Sequence, residues 1–301
     1  MSRRGSKASS NRLWTVPSRS NLIRGPVLFN PMLKFTKMNG AGNDFVVVDN
    51  RDNSLSLNKK QIARICQRQR GVGADGFLAV EPSENGADFR MRYYNADGGE
   101  AEMCGNGARC FARFVNQLEG NSLTETTFET IAGVIRGEFI DDEIRIELSK
   151  PFDFALNETL KINGQETSVH SVNTGVPHAA IFVDELDAVD IRAMGAATRF
   201  HEHFAPAGTN VNFVEVTAPG SIRIRTYERG VENETLACGT GMVACSIIHH
   251  EISDVPSPIR VKVAGGDTLE VGFDHVGDET YENVTLLGPA DFTFEGILET
   301  I

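Results

Sequence analysis

The sequence Cys104-Gly-Asn-Gly107 recurs in the second half of the chain as Cys238-Gly-Thr-Gly241. Each copy follows a polar, turn-like stretch and runs into an apolar segment compatible with a helix, residues 108–115 in one half and 242–248 in the other. The first turn of a helix has free backbone N–H groups, which favour anions and bind carboxylates. The repeated sequence therefore predicts two thiols, each at the N-terminus of a helix and each open to a ligand.

Other segments recur in the same order, which indicates a duplicated unit. Residues 40–49 and 175–184 are both a glycine turn that enters a strand-like run ending in Asp, and Arg92–Tyr94 precedes the first cysteine much as Arg225–Tyr227 precedes the second. From this repeat we predict two similar halves that face each other, with the ligand in the cleft between them.

Local patterns predict several elements of the first half. Residues 59–69 have helical spacing with Asn58 as the N-cap, and residues 71–76 form a turn that leads into a strand. That turn matches G-x-G-x-x-G, but a helix precedes it and a strand follows, which is the wrong context for a dinucleotide site. Strands are predicted over residues 45–49, 76–80 and 89–94, in a hairpin over 131–148, and again over 284–294.

Composition excludes several classes of protein. The chain has 301 residues, with 41 acidic and 29 basic side chains and a net charge of −12, which argues against a nucleic-acid partner. No apolar run approaches the roughly 20 residues of a membrane helix, so no membrane partner is expected. Five cysteines are too few for a disulfide framework, and we predict that Cys66, Cys110 and Cys245 lie in the core.

The first 31 residues differ in composition from the rest of the chain. Residues 1–32 contain six basic side chains, six serines and no acidic residue. We predict a disordered leader over residues 1–31 and the start of the fold at Met32. An organelle transit peptide has the same composition, so a plastid location is the alternative to the cytoplasm.

The two thiols suit proton transfer at one carbon atom. A free cysteine has a pKa of about 8.5, and a helix N-terminus stabilises a nearby anion by about 0.3–2 kcal/mol. We therefore predict a pair held as one thiolate and one thiol, in which one sulfur removes a proton and the other delivers one from the opposite face. The alternatives are two buried structural cysteines, a thiol–disulfide oxidoreductase, and an amino-acid-binding protein without catalysis.

Two histidine pairs could suggest a metal site. His201 and His203 flank Glu202, and His249 precedes His250, but neither pair has the H-E-x-x-H spacing and no cysteine pair completes a site. We predict no metal, and we interpret these histidines as residues on solvated helix faces.

The chain resembles the diaminopimelate epimerase family from residue 35 to its C-terminus. That family is cofactor-independent and acts in the synthesis of lysine and peptidoglycan precursors. The residues that carry the resemblance are Lys37–Phe45, Gly71–Asp75, Tyr94–Gly98, Met103–Arg113, Gly175–His178, Asn210–Phe213, Tyr227–Gly230 and Ala237–Gly241.

The resemblance implies an α+β fold of two pseudo-symmetric domains, each a mixed, largely antiparallel, barrel-like sheet around a central helix. The active site would lie in the cleft between the domains, and the protein would be a homodimer. Lys150-Pro151 is the expected boundary. The first domain would span residues 32–149, the second 150–284, and strands over about 285–301 would return to the first.

The resemblance also implies a substrate site without metal or cofactor. Cys104 and Cys238 would exchange the proton of a small amino-acid substrate, LL- or meso-diaminopimelate, and His178 would support them. The residues that would bind the substrate are Asn43, Asn95, Gly105, Asn106, Asn210, Glu228, Arg229, Gly239 and Thr240.

Two positions depart from the pattern of the family. Gly76 stands where many members have a Gln that contacts the substrate, and Val176 stands where many have Asn; Asn173 is the candidate to replace that Asn. These departures leave open a racemase of the same fold for another amino acid, such as proline, hydroxyproline or histidine.

Overall fold

The computed structural model describes residues 32–299, which form an α+β structure. Residues 1–31, for which a leader was predicted, lie outside the described residues. In chain order the strands and α-helices are β1 (Leu33–Gly40), β2 (Asn43–Asp49), α1 (Lys59–Cys66), β3 (Gly76–Pro82), β4 (Phe89–Asn95), α2 (Gly105–Leu118), β5 (Glu125–Thr130), β6 (Gly133–Ile140), β7 (Glu143–Glu147), β8 (Phe152–Ile162), β9 (Gln165–Asn173), β10 (Pro177–Phe182), α3 (Ile191–Arg199), β11 (Asn210–Ala218), β12 (Ser221–Glu228), β13 (Asn233–Thr235), α4 (Gly239–Ser253), β14 (Ile259–Lys262), β15 (Thr268–Gly277), β16 (Thr280–Gly288) and β17 (Asp291–Leu298).

Two sets of eight strands repeat one pairing pattern. In the first set β17, β1 and β2 are antiparallel neighbours, β2 and β3 are parallel, β3 and β4 antiparallel, β4 and β5 parallel, and β5, β6 and β7 antiparallel. The second set repeats this order with β8, β9, β10, β11, β12, β14, β15 and β16. The predicted mixed, largely antiparallel fold is confirmed.

The first set draws its last strand from the C-terminus. Strand β17 pairs with β1, and β7 pairs with β16, so that hydrogen bonds run from one set of strands into the other. These pairings fit the predicted return of the C-terminal strands to the first half. The domain boundaries at residues 149/150 and 284/285 stay a prediction.

One buried helix lies against each set of strands. Helix α2 packs against β1, β2 and β7, and α4 packs against β9 and β10. Both helices are buried over most of their length, because their apolar side chains meet a sheet on nearly every side. Cys110 on α2 and Cys245 on α4 are fully buried, and Cys66 is 3% exposed, as predicted for core cysteines.

The shorter helices cover the outer faces of the sheets. Helix α1 begins at Asn58 with the capping box expected of that residue, in which Asn58 and Gln61 exchange side-chain hydrogen bonds with the backbone. It ends at Cys66, three residues before the predicted end, because Gln67 has extended backbone dihedrals. Within residues 32–299 every helix is too short or too polar to span a bilayer.

The histidine prediction was wrong for His249. This residue lies on the inner side of α4, is 2% exposed, and has no hydrogen-bond partner for either ring nitrogen among the described residues. Its ring packs against Phe182, so it belongs to the core. Among residues 32–299 no group of three or more metal-ligating side chains lies together.

Candidate active site

Cys104 and Cys238 are the N-caps of the two central helices. Both have extended backbone dihedrals, with φ and ψ of −138° and 120° at Cys104 and −128° and 109° at Cys238. Neither side chain forms a capping hydrogen bond to its own helix. The nearby backbone N–H groups of the first turn favour the thiolate and act to lower the pKa of each cysteine, from Asn106 and Gly107 in one half and from Gly241 in the other. The structure therefore has each thiol at the N-terminus of a helix, as predicted.

The first turns of the two helices touch. A Cβ atom added to Gly239 would lie 3.7 Å from Cα of Gly105, so the backbone of one first turn lies next to the backbone of the other. Both glycines also lie against the side chain of Leu286. The structure thus brings the two cysteine turns together, although they are far apart in the chain.

Burial dominates the titration of both thiols. It raises the pKa of Cys104 above its usual value and that of Cys238 to about 12, and the carboxylate of Glu228 acts in the same direction on both. The helix N–H groups oppose this effect and offset only part of it. The sequence argument considered the helix N-terminus and not the burial, which acts in the opposite direction, and the pairing of one thiolate with one thiol stays a prediction.

A chain of hydrogen bonds leads to Cys238. The His178 ring is fully buried, and burial together with the charge of Arg229 lowers its pKa to about 3, so the ring is neutral. Its Nε2 lies 2.9 Å from Oγ1 of Thr240, which in turn lies 3.6 Å from Sγ of Cys238.

Asn212 determines which atoms donate in the hydrogen bonds that lead from His178 to Cys238. Its Nδ2 lies 3.2 Å from Nδ1 of His178 and also donates to the carbonyl of Ala179, while its Oδ1 accepts from Thr226. Because Asn212 is the donor, His178 carries its proton on Nε2 and donates to Thr240. The hydroxyl hydrogen of Thr240 is then left for the sulfur of Cys238.

A different arrangement supports the side of Cys104. Asn106 donates to Oδ1 of Asn43 at 2.5 Å and accepts from Nη2 of Arg109 at 2.8 Å. Arg109 is fully buried, and its Nε donates to the carbonyl of Pro289 at 3.1 Å. Its Nη1 has no hydrogen-bond partner, and no carboxylate forms an ion pair with it among residues 32–299. The guanidinium is therefore a buried positive charge whose field acts to lower the pKa of Cys104, against the larger effect of burial.

Asn43 is held from its other end by an ionic network. Its Nδ2 donates to Asp75 at 3.3 Å, and Asp75 is paired with Arg68 at 2.7 Å. Arg68 also pairs with Asp44, whose pKa is lowered although burial opposes the shift, because Arg68 and Lys37 stabilise the carboxylate. The amide of Asn43 is thus fixed in orientation before any ligand arrives.

The remaining predicted residues lie at or next to the ends of strands β4, β11 and β12. Asn210 donates to the carbonyl of Pro177 at 3.1 Å and accepts from the backbone N–H of Arg229 at 2.8 Å, so part of its amide is used within the protein. Burial raises the pKa of Glu228. Asn95 ends strand β4 and is exposed.

The structure shows what surrounds Gly76 and Val176, the two positions that depart from the family pattern. The backbone N–H of Gly175 donates to Oδ1 of Asn173 at 3.0 Å. The side chain of Asn173 is therefore already part of the turn that contains Val176. Gly76 is buried, and a Cβ added there would come within 2.8 Å of the ring of Tyr93. The backbone and its neighbours therefore leave no room for a side chain at residue 76.

Sequence reasoning missed four residues of this site: Tyr93, Asp75, Arg109 and Asn212. A signal existed for two of them, because Tyr93 stands two residues before Asn95 and Asn212 two residues after Asn210, and such residues share one face of a strand. Asp75 and Arg109 act through contacts with distant segments, which no local pattern reports.

Comparison with known proteins gives one consistent family. A model of the family described as diaminopimelate epimerase matches residues 35–150 and 170–292. A diaminopimelate epimerase from a Hydrogenobaculum species is 42% identical over 277 residues, covering 87% of this chain and 97% of that protein. Another from Chlorobaculum tepidum is 43% identical over 265 residues, covering 87% and 99%.

Solved structures of lower sequence identity share the fold. A PhzF-family phenazine biosynthesis protein from Bacillus anthracis superposes with a TM-score of 0.69 at 18% identity, covering 89% of this chain and 99% of that one. A probable proline racemase from Agrobacterium radiobacter gives a TM-score of 0.64 at 16% identity, covering 88% and 92%.

Proposed function

The chain belongs to the diaminopimelate epimerase family, whose members are isomerases, and we propose that it interconverts LL-2,6-diaminopimelate and meso-diaminopimelate with Cys104 and Cys238 as its two acid–base groups. The observation that carries the assignment of these groups is the contact between the two helix N-termini that bear the thiols.

The reaction moves one proton onto a carbon and another off it. The thiolate of one cysteine takes the α-hydrogen as a proton, and the electron pair of the broken C–H bond stays on the substrate as a carbanion delocalised into the α-carboxylate. The thiol of the other cysteine gives its proton to the opposite face of the same carbon. The stereocentre is inverted, and the two sulfurs have exchanged protonation states. No redox change occurs, so this step needs no electron acceptor.

The helix N-termini support the charge that develops on the substrate. Backbone N–H groups of residues 105–106 and 239–240 are donors for the α-carboxylate, which becomes more negative as the carbanion forms. Donors fixed by a helix need little reorganisation when the proton leaves. The raised pKa values of both thiols mean that a thiolate is a strong base once formed.

We assign the other polar groups of the cleft to recognition of the substrate. Arg229 and Asn210 suit a carboxylate at the non-reacting end, and Glu228 suits an ammonium group. Asn43, Asn95 and Asn106 supply amide donors and acceptors. Asn95 accepts a hydrogen bond from Tyr93, and Asn106 accepts one from Arg109. A residue that binds the distal carboxylate favours diaminopimelate over proline, which has only one.

Deuterium incorporation tests the proposed reaction. The reduced protein is incubated in deuterated water with each diaminopimelate isomer, and with proline, hydroxyproline and histidine as comparison substrates. We expect deuterium at the α-carbon of diaminopimelate, with inversion, and none in the comparison substrates. Absence of exchange with either diaminopimelate isomer under reducing conditions would contradict the proposal. A chelator should leave the rate unchanged.

We further propose a homodimer that works in the cytoplasm, with the domains divided at residues 149/150 and 284/285. Strand β17 supports the dimer, because its pairing within residues 32–299 is with β1 alone and it exposes large apolar side chains. Those side chains are Phe292, Phe294 and Ile297. Sedimentation analysis of a Phe294→Glu variant should give a monomer where the parent gives a dimer.

A further inference from the structure

Hydrogen bonds connect a buried arginine to a surface ion pair through two asparagines of the proposed substrate site. Nη2 of Arg109 donates to Oδ1 of Asn106 at 2.8 Å, and Nδ2 of Asn106 donates to Oδ1 of Asn43 at 2.5 Å. Nδ2 of Asn43 donates to Oδ2 of Asp75 at 3.3 Å, and Nη2 of Arg68 donates to the other oxygen of that carboxylate at 2.7 Å. We call Arg109, Asn106, Asn43 and Asp75 the amide chain.

The two ends of the amide chain allow only one direction of donation. A guanidinium group can only donate hydrogen bonds, and a carboxylate in an ion pair can only accept them. If the Asn106 amide were turned over, its nitrogen would face Nη2 of Arg109, which is also a donor. If the Asn43 amide were turned over, its oxygen would face the carboxylate of Asp75. Turning both would leave a mismatch at each end, so each amide has one permitted orientation.

Burial decides which of the two asparagines can meet a ligand. Arg109 is fully buried and Asn106 is 2% exposed, so solvent scarcely reaches the Asn106 side chain. Asn43 is half-buried, and its amide nitrogen carries two hydrogens, of which the bond to Asp75 uses one. Within residues 32–299 that nitrogen has no second acceptor. The second hydrogen is therefore the donor that Asn43 can offer to a carboxylate of the substrate.

We propose that Arg109 and Asp75 are further positioning residues of the active site, which act together as the charged ends of the amide chain and fix the orientation in which Asn43 meets the substrate. Within the described part of the protein these two residues share neither a hydrogen bond nor an ion pair. Bonds in such a series polarise one another, so each charged end acts on the far asparagine through the nearer one. The role in binding rests on the proposed epimerase function.

Side-chain NMR signals test the amide chain in the absence of substrate. The protein is labelled with ¹⁵N-asparagine, and the amide signals of Asn43 and Asn106 are assigned by their loss in Asn43→Asp and Asn106→Asp. In Asp75→Ala we expect the Asn106 signals to shift together with those of Asn43, although Asp75 bonds to Asn43 alone of the two. In Arg109→Met we expect the Asn43 signals to shift, although Arg109 bonds to Asn106 alone of the two.

Asp49→Ala is the matched control for loss of the carboxylate. Asp49 lies on the same strand as Asn43 and is paired with Arg51 at 2.9 Å. Its side chain is 37% exposed, close to the 42% of Asp75. This variant should leave the amide signals of both asparagines unchanged. In either test variant, shifts confined to the asparagine that the replaced residue bonds directly would overturn the proposal.

Turnover gives a second reading. With diaminopimelate as substrate we expect kcat/KM of Asp75→Ala to fall about tenfold, mainly through a higher KM, because we assign Asn43 to recognition. In the double variant with Arg109→Met the loss should be smaller than the product of the two single losses, because the first break already weakens the remaining bonds. Losses that multiply would also overturn the joint action of the two ends. If the parent protein does not turn over diaminopimelate, the proposed function fails, while the NMR shifts still decide whether the amide chain acts as a unit.

Discussion

The two cysteines occupy equivalent places in the duplicated fold but rest on different side chains. The strand registers relate one set of three residues in the first half to a corresponding set in the second half. In chain order these sets are Phe45, Leu78 and Tyr93 in the first half, and His178, Asn212 and Thr226 in the second. The second half has a polar chain where the first has two apolar side chains and one phenol. The duplicated halves therefore share the backbone arrangement around each thiol and differ in the side chains near it.

The helices differ in the same way. Counted from each cysteine, Asn106 corresponds to Thr240 and Arg109 to Val243. The first half therefore supports its thiol with a buried cation, and the second with a neutral hydrogen-bonded chain. The proposed mechanism needs two sulfurs that both give and take protons, and the two halves surround their sulfurs with different groups. The following predictions test how far this difference reaches.

The largest effect should come from the thiols themselves, where the two halves must behave alike. Cys104→Ala and Cys238→Ala each remove one of two acid–base groups, so each should lower the rate of epimerisation by at least about a thousandfold. Chiral analysis of the product measures the loss. Cys66→Ala, which removes a core thiol outside the cleft, should keep the parent rate. Substantial epimerisation by either active-site variant would contradict the two-thiol mechanism.

Replacing Arg109 should lower the activity without lowering the free energy of unfolding. In Arg109→Met the donor that orients Asn106 is gone, and kcat/KM should fall by about tenfold to a hundredfold. The free energy of unfolding should stay equal or rise, because an unpaired buried charge is replaced by an apolar side chain. Arg113→Met, a partly exposed arginine on the same helix, is the control and should change neither quantity. A large loss of stability in Arg109→Met would show that the charge serves the fold.

His178 should make the free energy of unfolding fall at acid pH. Its folded pKa of about 3 lies below the usual value of about 6.5, so the unfolded chain binds a proton between these values while the folded protein does not. The free energy of unfolding therefore falls as the pH falls below about 6.5, and this group contributes about 2 kcal/mol of loss by pH 5. Urea titrations at pH 7 and pH 5 should show a smaller loss in His178→Gln than in the parent. Equal losses would contradict a neutral, buried ring.

The smallest effect should come from the outer helices, where the halves again agree. Asn58 caps α1, and Asp190 caps the corresponding helix α3. Replacing either by Ala should lower the free energy of unfolding by about 1 kcal/mol, the usual value of an N-cap. Neither replacement should change kcat/KM, because these caps lie outside the cleft. Urea titration and initial rates measure both quantities.

The sequence predicted what depends on local pattern. The two helix N-termini, the hairpin over residues 131–148 and the cap at Asn58 all follow from spacing and turn chemistry within a few residues. The duplicated order of segments predicted the duplicated pairing of strands, because equivalent segments fold in equivalent ways.

What the sequence did not predict depends on segments that meet only in the fold. Arg109 reaches the carbonyl of Pro289, which lies 180 residues further along the chain. The raised pKa values of the thiols come from burial by both halves together. His249 was interpreted as a residue on a solvated helix face, and the packing of α4 against Phe182 is what buries it.

The contact between the first turns of α2 and α4 is made by main-chain atoms, because neither Gly105 nor Gly239 has a side chain. A Cβ atom at residue 239 would lie 3.7 Å from Cα of Gly105 and 3.5 Å from the side chain of Leu286, which is ordinary van der Waals distance. Each thiol is one residue from this contact, so the two sulfurs are attached to backbone segments that meet directly. Misplacement by about 1 Å can slow a reaction between positioned groups about a hundredfold, so the rate of the proposed reaction depends on how the two halves of the protein are assembled as well as on the cysteines.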